Sequence, residues 1–140
     1  MKTYLVTGCA GFIGSNFVHY MLEKHEDIRL VNLDKLTYAG NLENLKDVEN
    51  DPRHIFVQGD ICDKALVTDL IAKYAPDYLI NFAAESHVDR SIKNPEIFVE
   101  SNVLGTVNLL QCCKDAWYDA DSKTWKPGKK YLQVSTDEVY

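Results

Sequence analysis

The sequence lacks long apolar runs, basic stripes and paired cysteine motifs. No apolar stretch approaches the length of a signal-peptide core or a membrane span, and the first residues pass directly into a predicted strand. We therefore expect a cytoplasmic protein without membrane contact. There are 15 basic and 21 acidic residues, a formal net charge of -6, and no basic stretch interleaved with aromatic residues. This balance argues against nucleic acid as a partner.

The four cysteines include no C-x-x-C pair, and Cys112 and Cys113 are neighbours that point in different directions on a predicted helix. This spacing supports neither a metal site nor structural disulfides. The preferred interpretation is that all four are buried, small apolar side chains in a reducing compartment. An alternative for Cys9 is a reactive thiolate, because a helix N-terminus stabilises that form.

The 140 residues suit a single domain over 1–140, and 46% of them are hydrophobic, enough for a sizeable core. Short apolar runs alternate with helical patterns, which is typical of an α/β fold with a parallel sheet. We predict a doubly wound sheet that ends after its fifth strand. The predicted strands are Tyr4–Thr7, Leu30–Leu33, His54–Val57, Tyr78–Phe82 and Tyr131–Val134.

Helices are predicted between most of these strands. Apolar spacing indicates one from about Phe12 to Lys24, another over Lys64–Tyr74 that Pro76 stops, and a long helix that begins near Pro95 and reaches Trp117. Gly105 and Thr106 would permit close packing of the long helix. A short helix is predicted between residues 37 and 53, and an exposed loop or hairpin over 119–130, in which Trp125 either covers the edge of the core or awaits a partner.

Three glycines mark the turn between the first strand and the first helix. Gly8, Gly11 and Gly14 form G-x-x-G-x-x-G directly after Tyr4–Thr7. Glycines at these spacings allow a tight turn, a close approach to a pyrophosphate and tight packing of helix on strand. The alternative is a strand-to-helix turn without a ligand. The pattern favours a Rossmann-type sheet that binds a dinucleotide.

Asp34 supports the dinucleotide interpretation because it stands at the end of the second predicted strand, 20 residues after Gly14. A carboxylate there accepts hydrogen bonds from the adenosine ribose hydroxyls and repels a 2′-phosphate. NAD is therefore expected rather than NADP. Lys35 weakens that preference if its cation neutralises a phosphate, although a solvated surface lysine is the preferred interpretation.

The expected topology gathers the polar segments at one edge. Right-handed crossovers place the first three strands outward in one direction, and the fourth must return to the other side of the first. Ligands of such sheets lie at that switch point, beyond the carboxyl ends of the strands. The segments predicted there are Gly8–Gly14, Asp34, Gly59–Ile61, Phe82–His87 and Ser135–Tyr140.

The segment after the fifth strand carries candidate acid–base groups. Thr136, Asp137 and Glu138 follow Ser135 at the mouth of the predicted site. Adjacent carboxyl groups in different environments can separate into one acid and one base. The alternative is that Asp137 and Glu138 cap a helix or remain in water.

Four segments resemble the dTDP-glucose 4,6-dehydratases of the extended short-chain dehydrogenase/reductase group. They are Thr7–Gly14, Asp34–Asn41 (Asp-Lys-Leu-Thr-Tyr-Ala-Gly-Asn), Ala83–Ile92 and Ser135–Tyr140, and the resemblance covers the whole chain. It implies NAD as cofactor, dTDP-glucose as substrate and a homodimer as the complete protein. A UDP-sugar stays open, because the residues that read the base are expected outside this sequence.

The resemblance also implies the chemistry. NAD+ would take hydride from C4 of the glucose, Glu138 would remove the C5 proton, Asp137 would protonate the departing C6 hydroxyl, and hydride would return to C6. Thr136 would bind near O4, and Ser86 would lie where substrate and cofactor meet. The implied cofactor residues are Gly8, Gly11, Phe12, Ile13, Gly14, Asp34, Lys35, Leu36, Thr37, Asp60, Ile61, Phe82, Ala83, Ala84, Glu85, Ser86 and Ser101, where relatives often have threonine.

One family feature has no counterpart here. The Tyr-x-x-x-Lys pair and most of the sugar-nucleotide-binding domain of this family follow the Thr-Asp-Glu segment, whereas this sequence stops at Tyr140. We therefore expect a cofactor-binding part of a longer enzyme that lacks turnover by itself. Two alternatives remain. One is a nucleotide-sugar 4-epimerase, against which Asp137 and Glu138 argue, and the other is a non-catalytic NAD-binding module.

Overall fold

A parallel five-stranded sheet forms the centre of the fold. The computed structural model describes residues 1–36, 41–83 and 92–135, with Ser101 described by its backbone alone. The strands are β1 (Lys2–Thr7), β2 (Ile28–Asp34), β3 (His54–Gln58), β4 (Tyr78–Asn81) and β7 (Lys130–Gln133). Their order in the sheet is β3-β2-β1-β4-β7, so the α/β doubly wound prediction and its switch point between β1 and β4 are confirmed.

Strand β1 lies at the middle of the sheet, and Leu5 pairs with Val31 on one side and with Leu79 on the other. The amino end of this region is held by Asp77, whose carboxylate accepts the Thr3 N–H at 3.0 Å and the Lys129 ammonium at 3.3 Å. The backbone hydrogen bond from Thr3, followed by Lys129, lowers the pKa of Asp77 despite partial burial. These contacts join β1, β4 and β7 at the end opposite the predicted site.

Helices α1 (Phe12–Lys24) and α2 (Lys64–Tyr74) have the predicted bounds. The two ends of α2 show what sets these bounds. The Asp63 carboxylate caps α2 by accepting the Leu66 N–H at 3.1 Å, and after Tyr74 the chain leaves the helix through Ala75, at φ 45°, before Pro76.

The sheet buries an apolar core on each face. One core lies under α2 and the last long helix and contains Leu5, Val31, Leu33, Ile61, Val67, Leu70, Ile71, Leu79, Leu109, Cys112, Cys113 and Trp117. The other lies under α1 and contains Val6, Cys9, Ala10, Val18, Met21, Leu22, Ile28, Leu30 and Leu45. Helices on both faces explain why the central strands are apolar on both sides.

The predicted long helix is present from Pro95 to Trp117 and contains a π-helical turn. α3 (Pro95–Val99) leads through a π-helical turn (Glu100–Leu104) into α4 (Gly105–Trp117). Close packing at Gly105 is confirmed, because a Cβ there would lie 2.6 Å from Cγ1 of Ile61. The Asn108 amide also donates to the Ile61 carbonyl at 2.6 Å. The π turn and Gly105 thus seat the helix on the turn after β3.

The remaining connections follow the coarse predictions. The short helix is a 3₁₀ helix over Leu42–Val48, and the polar segment forms a hairpin of β5 (Tyr118–Asp119) and β6 (Thr124–Trp125). Trp125 is exposed and packs against Tyr118, with ring centroids 4.9 Å apart and the ring planes tilted by 46°. None of the helices in the described ranges is long and apolar enough to cross a bilayer.

The burial prediction is wrong for one cysteine. Cys9, Cys112 and Cys113 are buried and all four thiols are free, but Cys62 is exposed. The Cys62 thiol lies in the turn after β3, where it donates to the Glu100 carbonyl at 3.3 Å and joins neither apolar core.

Candidate functional site

The glycine turn closes against the backbone of two neighbouring strands. Gly8 has φ 72°, and its N–H donates to the Leu33 carbonyl of β2 at 2.9 Å. A Cβ on Gly8 would lie 2.6 Å from the backbone nitrogen of Ala83, beyond β4. The turn therefore requires glycine for both its conformation and its clearance.

Gly14 brings α1 equally close to the turn. A Cβ there would overlap the Gly8 carbonyl group and lie 3.0 Å from Cα of Cys9. The first turn of α1 contains no acidic residue, and no described side chain caps Gly11. The free N–H groups of the first turn of α1 and the dipole of this helix therefore favour the binding of an anion. Phe12 and Ile13 are 81% and 64% exposed beside them.

Asp34 is held by the backbone around it. One carboxylate oxygen accepts the Ala10 N–H at 2.9 Å, and the other accepts the Leu36 N–H at 2.7 Å. Leu36 adopts φ 61°, a conformation that non-glycine residues rarely take and that this turn around Asp34 imposes. Each oxygen keeps a further lone pair for a ligand hydroxyl. The side chain therefore has a fixed position beside the glycine turn.

The chemistry of Cys9 follows from the same neighbourhood. Burial, and secondarily the charge of Asp34, raises the pKa of its thiol far above the ordinary value. The reactive-thiolate alternative is thus disfavoured, because the thiolate is the reacting form.

The backbone of Ala10 is held by a second set of hydrogen bonds. The Ala10 carbonyl accepts the Asn41 N–H at 3.0 Å and the Asn44 side-chain amide at 2.8 Å. Asn44 was not singled out by the sequence analysis. The available sequence signal was an asparagine inside the predicted short helix, where its amide can reach a neighbouring backbone carbonyl.

Lys35 and Asp60 form an ion pair beside Asp34. The Lys35 ammonium lies 3.2 Å from one Asp60 oxygen, and the other oxygen accepts the Cys62 N–H at 2.9 Å. Burial alone would raise the pKa of Asp60, but the Cys62 N–H and Lys35 outweigh it and lower that pKa. Ile61, next in the chain, is buried beneath Gly105.

Phe82 and Ala83 continue from β4 along the glycine turn. The Phe82 N–H donates to the Thr7 carbonyl at 3.0 Å, and its ring lies 5.3 Å from that of Phe17 on α1. The Ala83 N–H donates to the side-chain oxygen of Asn81 at 3.1 Å. Both residues therefore lie where the sheet topology predicts the ligand.

A polar network that the sequence analysis missed joins the carboxyl ends of three strands. The buried Asn81 accepts a hydrogen bond from the Thr7 hydroxyl and donates to the Gln133 side chain at 2.9 Å. Gln133 also accepts the Tyr131 hydroxyl at 2.6 Å. Burial raises the pKa of Tyr131 to about 12, so this hydroxyl stays a donor at neutral pH. Polar residues inside apolar strands were the available signal.

The described structure brings together Gly8, Gly11, Gly14, Asp34, Lys35, Asp60 and Phe82–Ala83 at one edge of the sheet. Other predicted residues lie outside the described residues, namely Thr37, Ala84, Glu85, Ser86, Thr136, Asp137 and Glu138, together with the side chain of Ser101. No cluster of metal-ligating side chains occurs in residues 1–36, 41–83 and 92–135. The arrangement is that of an anion-accepting glycine turn with a neighbouring carboxylate, which defines the class of dinucleotide-binding α/β proteins.

Comparison with known proteins defines the family. Residues 5–140 match the family described as GDP-mannose 4,6 dehydratase, and the chain belongs to it. A dTDP-glucose 4,6-dehydratase of Xanthomonas campestris is 54% identical over 140 residues, which are 100% of this chain and 39% of that protein. The chain thus spans about two fifths of that relative's length.

Solved structures agree with this assignment. The dTDP-glucose 4,6-dehydratase of Bacillus anthracis in complex with NAD is 44% identical with a TM-score of 0.82, over 100% of this chain and 39% of that one. A UDP-glucose-4-epimerase of Stenotrophomonas maltophila with bound NAD also has a TM-score of 0.82, over 100% of this chain and 38% of its own, but is 27% identical. The fold is shared with epimerases, whereas the higher identity favours the dehydratases.

Proposed function

We propose that this chain is the NAD-binding part, residues 1–140, of an enzyme that dehydrates dTDP-glucose to the 4-keto-6-deoxy sugar. The observation that carries the proposal is the Asp34 carboxylate, fixed by the Ala10 N–H at 2.9 Å at the mouth of the glycine turn. The relatives named dTDP-glucose 4,6-dehydratase support the substrate. The free thiols support a reducing compartment, and we propose the cytoplasm.

The residues present fit a dinucleotide. Gly8 and Gly14 let strand, turn and helix pack backbone against backbone, and the first turn of α1 has neither an acidic residue nor a side-chain cap. The pyrophosphate would bind at the N–H groups of that turn, and the ribose hydroxyls would donate to Asp34. Lys35, Leu36, Asp60, Ile61, Phe82 and Ala83 would line the adenosine and the approach to the sugar. When bound, NAD supplies the acceptor and donor of hydride.

The acid–base groups proposed for the dehydration follow β7. Glu138 would remove the proton at C5, Asp137 would protonate the C6 hydroxyl as it leaves, and Thr136 would bind near O4. The Asn81–Gln133 hydrogen bond supports this arrangement, because it joins β4 and β7 at the edge from which this segment departs. Ser86, in the segment after Ala83, would bind between sugar and cofactor, and Ser101 would contribute its hydroxyl.

Cofactor binding is tested by titrating this chain with NAD and NADP in a calorimeter. We expect tighter binding of NAD, and Asp34→Ala should narrow the difference, because the carboxylate both accepts the ribose hydroxyls and repels the 2′-phosphate. Equal or tighter binding of NADP by the parent chain would contradict the proposal.

The dehydration is tested in a protein of the relatives' length that carries this sequence. Glu138→Gln should allow oxidation at C4, seen as NADH absorbance, but should block formation of the 6-deoxy product. Solvent deuterium exchange at C5 at the parent rate would show that Glu138 is not the base. The 140-residue chain alone should form no product, because Ser86 and Thr136 by themselves are not expected to hold the sugar in reacting geometry.

A homodimer of the complete protein is also part of the proposal. An apolar stripe runs from the end of α3 through the π turn into α4, formed at helical spacing by residues that are 46–58% exposed, namely Val99, Val103, Val107 and Leu110. Such a stripe fits the matching stripe of a second copy. Val103→Glu with Val107→Glu should yield monomers in sedimentation, whereas Leu42→Glu, at an exposed site off the stripe, should not. A dimer that survives the double change would contradict this interface.

A further inference from the structure

The ion pair between Lys35 and Asp60 lies at the adenosine end of the proposed cofactor site. The Gly59 N–H donates to the backbone carbonyl of Asp34 at 3.0 Å, so the ends of β2 and β3 run side by side. Lys35 and Asp60 are the next residues on the two strands' exits, and their charged groups are 3.2 Å apart. Their side chains are 57% and 39% exposed, so a bound ligand could contact both.

Asp60 is fixed from its own side. Its second oxygen accepts the Cys62 N–H at 2.9 Å, and its carbonyl accepts the Asp63 N–H at 2.9 Å. The following residue, Ile61, is held by the Asn108 amide of α4 at 2.6 Å. The carboxylate is therefore a stationary partner toward which the longer Lys35 side chain is drawn.

NADP differs from NAD by one phosphate on the adenosine ribose, and sites that accept it place a cation beside the ribose. Lys35 directly follows Asp34 and has the required charge. Resting on the proposed NAD binding, we propose that Asp60 is a specificity-determining residue: it holds Lys35 in an ion pair and so withholds the cation from a 2′-phosphate. NADP then meets the Asp34 carboxylate without a compensating charge.

The proposal differs from a simple contact between Asp60 and the adenosine. Such a contact would be the same for NAD and NADP, because the two share adenine and ribose. Its loss would weaken both cofactors in proportion. The ratio of the two dissociation constants therefore cancels that shared contact and reports only effects on the 2′-phosphate, and removal of Lys35 separates its share from direct repulsion by Asp60.

The test compares D60N, K35Q, the D60N/K35Q double variant and D63N with the parent chain, each titrated with NAD and with NADP. Asparagine keeps an oxygen for the Cys62 N–H. D60N should raise the affinity for NADP relative to NAD by about fivefold, the upper range for partly exposed pairs. K35Q should not raise it, and in the double variant the gain should disappear. D63N removes a nearby acidic charge from the helix cap without contacting Lys35, and should leave the ratio unchanged.

Three outcomes would overturn the inference. An unchanged ratio in D60N would show that the ion pair does not restrain Lys35, and a gain that persists in the double variant would show only repulsion by Asp60. NAD binding with no detectable NADP binding in any variant would also refute it. If neither cofactor binds the parent chain, the proposed function fails together with this inference. If NAD binds but the ratio does not change as expected, only this inference fails. The gain in D60N should shrink in high salt, since it depends on an exposed charge.

Discussion

Replacing Gly8 with alanine tests how closely the glycine turn is packed. Gly8 combines φ 72° with a backbone environment in which a Cβ would lie 2.6 Å from Ala83 N and 2.8 Å from Phe82 C. Neither neighbour is a flexible side-chain end. The backbone after β4 would therefore have to move, in the region where the proposed cofactor site meets the sheet.

The expected cost has two parts. An L-residue in the left-handed region costs about 1–2 kcal/mol. Forcing extra volume into a packed site costs a further ~1–3 kcal/mol. Gly8→Ala should therefore lower the free energy of unfolding by about 2–5 kcal/mol, a large share of the ~5–15 kcal/mol of a typical domain.

Gly128 provides a matched control. Its φ is 77°, but a Cβ there would meet nothing within 4 Å. Gly128→Ala should cost only the conformational part, about 1–2 kcal/mol. Urea unfolding followed by circular dichroism gives both values, and equal losses in the two variants would refute the close approach of Gly8 to Ala83.

Three further results are expected. Because its pKa is lowered, Asp77 stabilises the fold fully above the unfolded-state pKa of about 3.9 and loses this effect as pH falls through the lower folded-state value. In Asp77→Asn the free energy of unfolding should therefore fall less steeply as the pH drops below about 4. An unaltered pH slope would contradict this. Iodoacetamide should modify the native chain once, at Cys62, and all four thiols after unfolding, as read by intact mass. Asn81→Leu should cost about 1–3 kcal/mol, and more than Gln133→Leu at the exposed end of the network; the reverse order would contradict the network.

Local pattern was sufficient for the helices that flank the first strands. The bounds of α1 and α2 agree with the predictions, because apolar spacing and a helix-ending proline such as Pro76 act on residues close to them in the chain. The strand order was also predictable, since the handedness of crossovers applies to any sheet of this kind. Both inferences used rules that need no knowledge of particular contacts.

The features that the sequence did not predict depend on packing between segments distant in the chain. The long helix changes from α to π geometry directly before Gly105, which meets Ile61, more than forty residues earlier in the chain. The exposure of Cys62 depends on the same junction. Helical spacing alone gives equal support to a helix of α geometry throughout, so the π turn could not be predicted.

The sequence by itself determined the class of the site. Three glycines at this spacing between a strand and a helix, with a carboxylate such as Asp34 at the end of the next strand, favour a dinucleotide through local chemistry alone. Only the tertiary structure decided what each group faces. It directs the Ala10 and Leu36 N–H groups to Asp34, pairs Lys35 with Asp60, and joins Asn81 to Gln133 across 52 residues. The physical reason is range. Backbone preference acts over a few residues, whereas hydrogen bonds and ion pairs form over about 3 Å between side chains that only the strand register brings together.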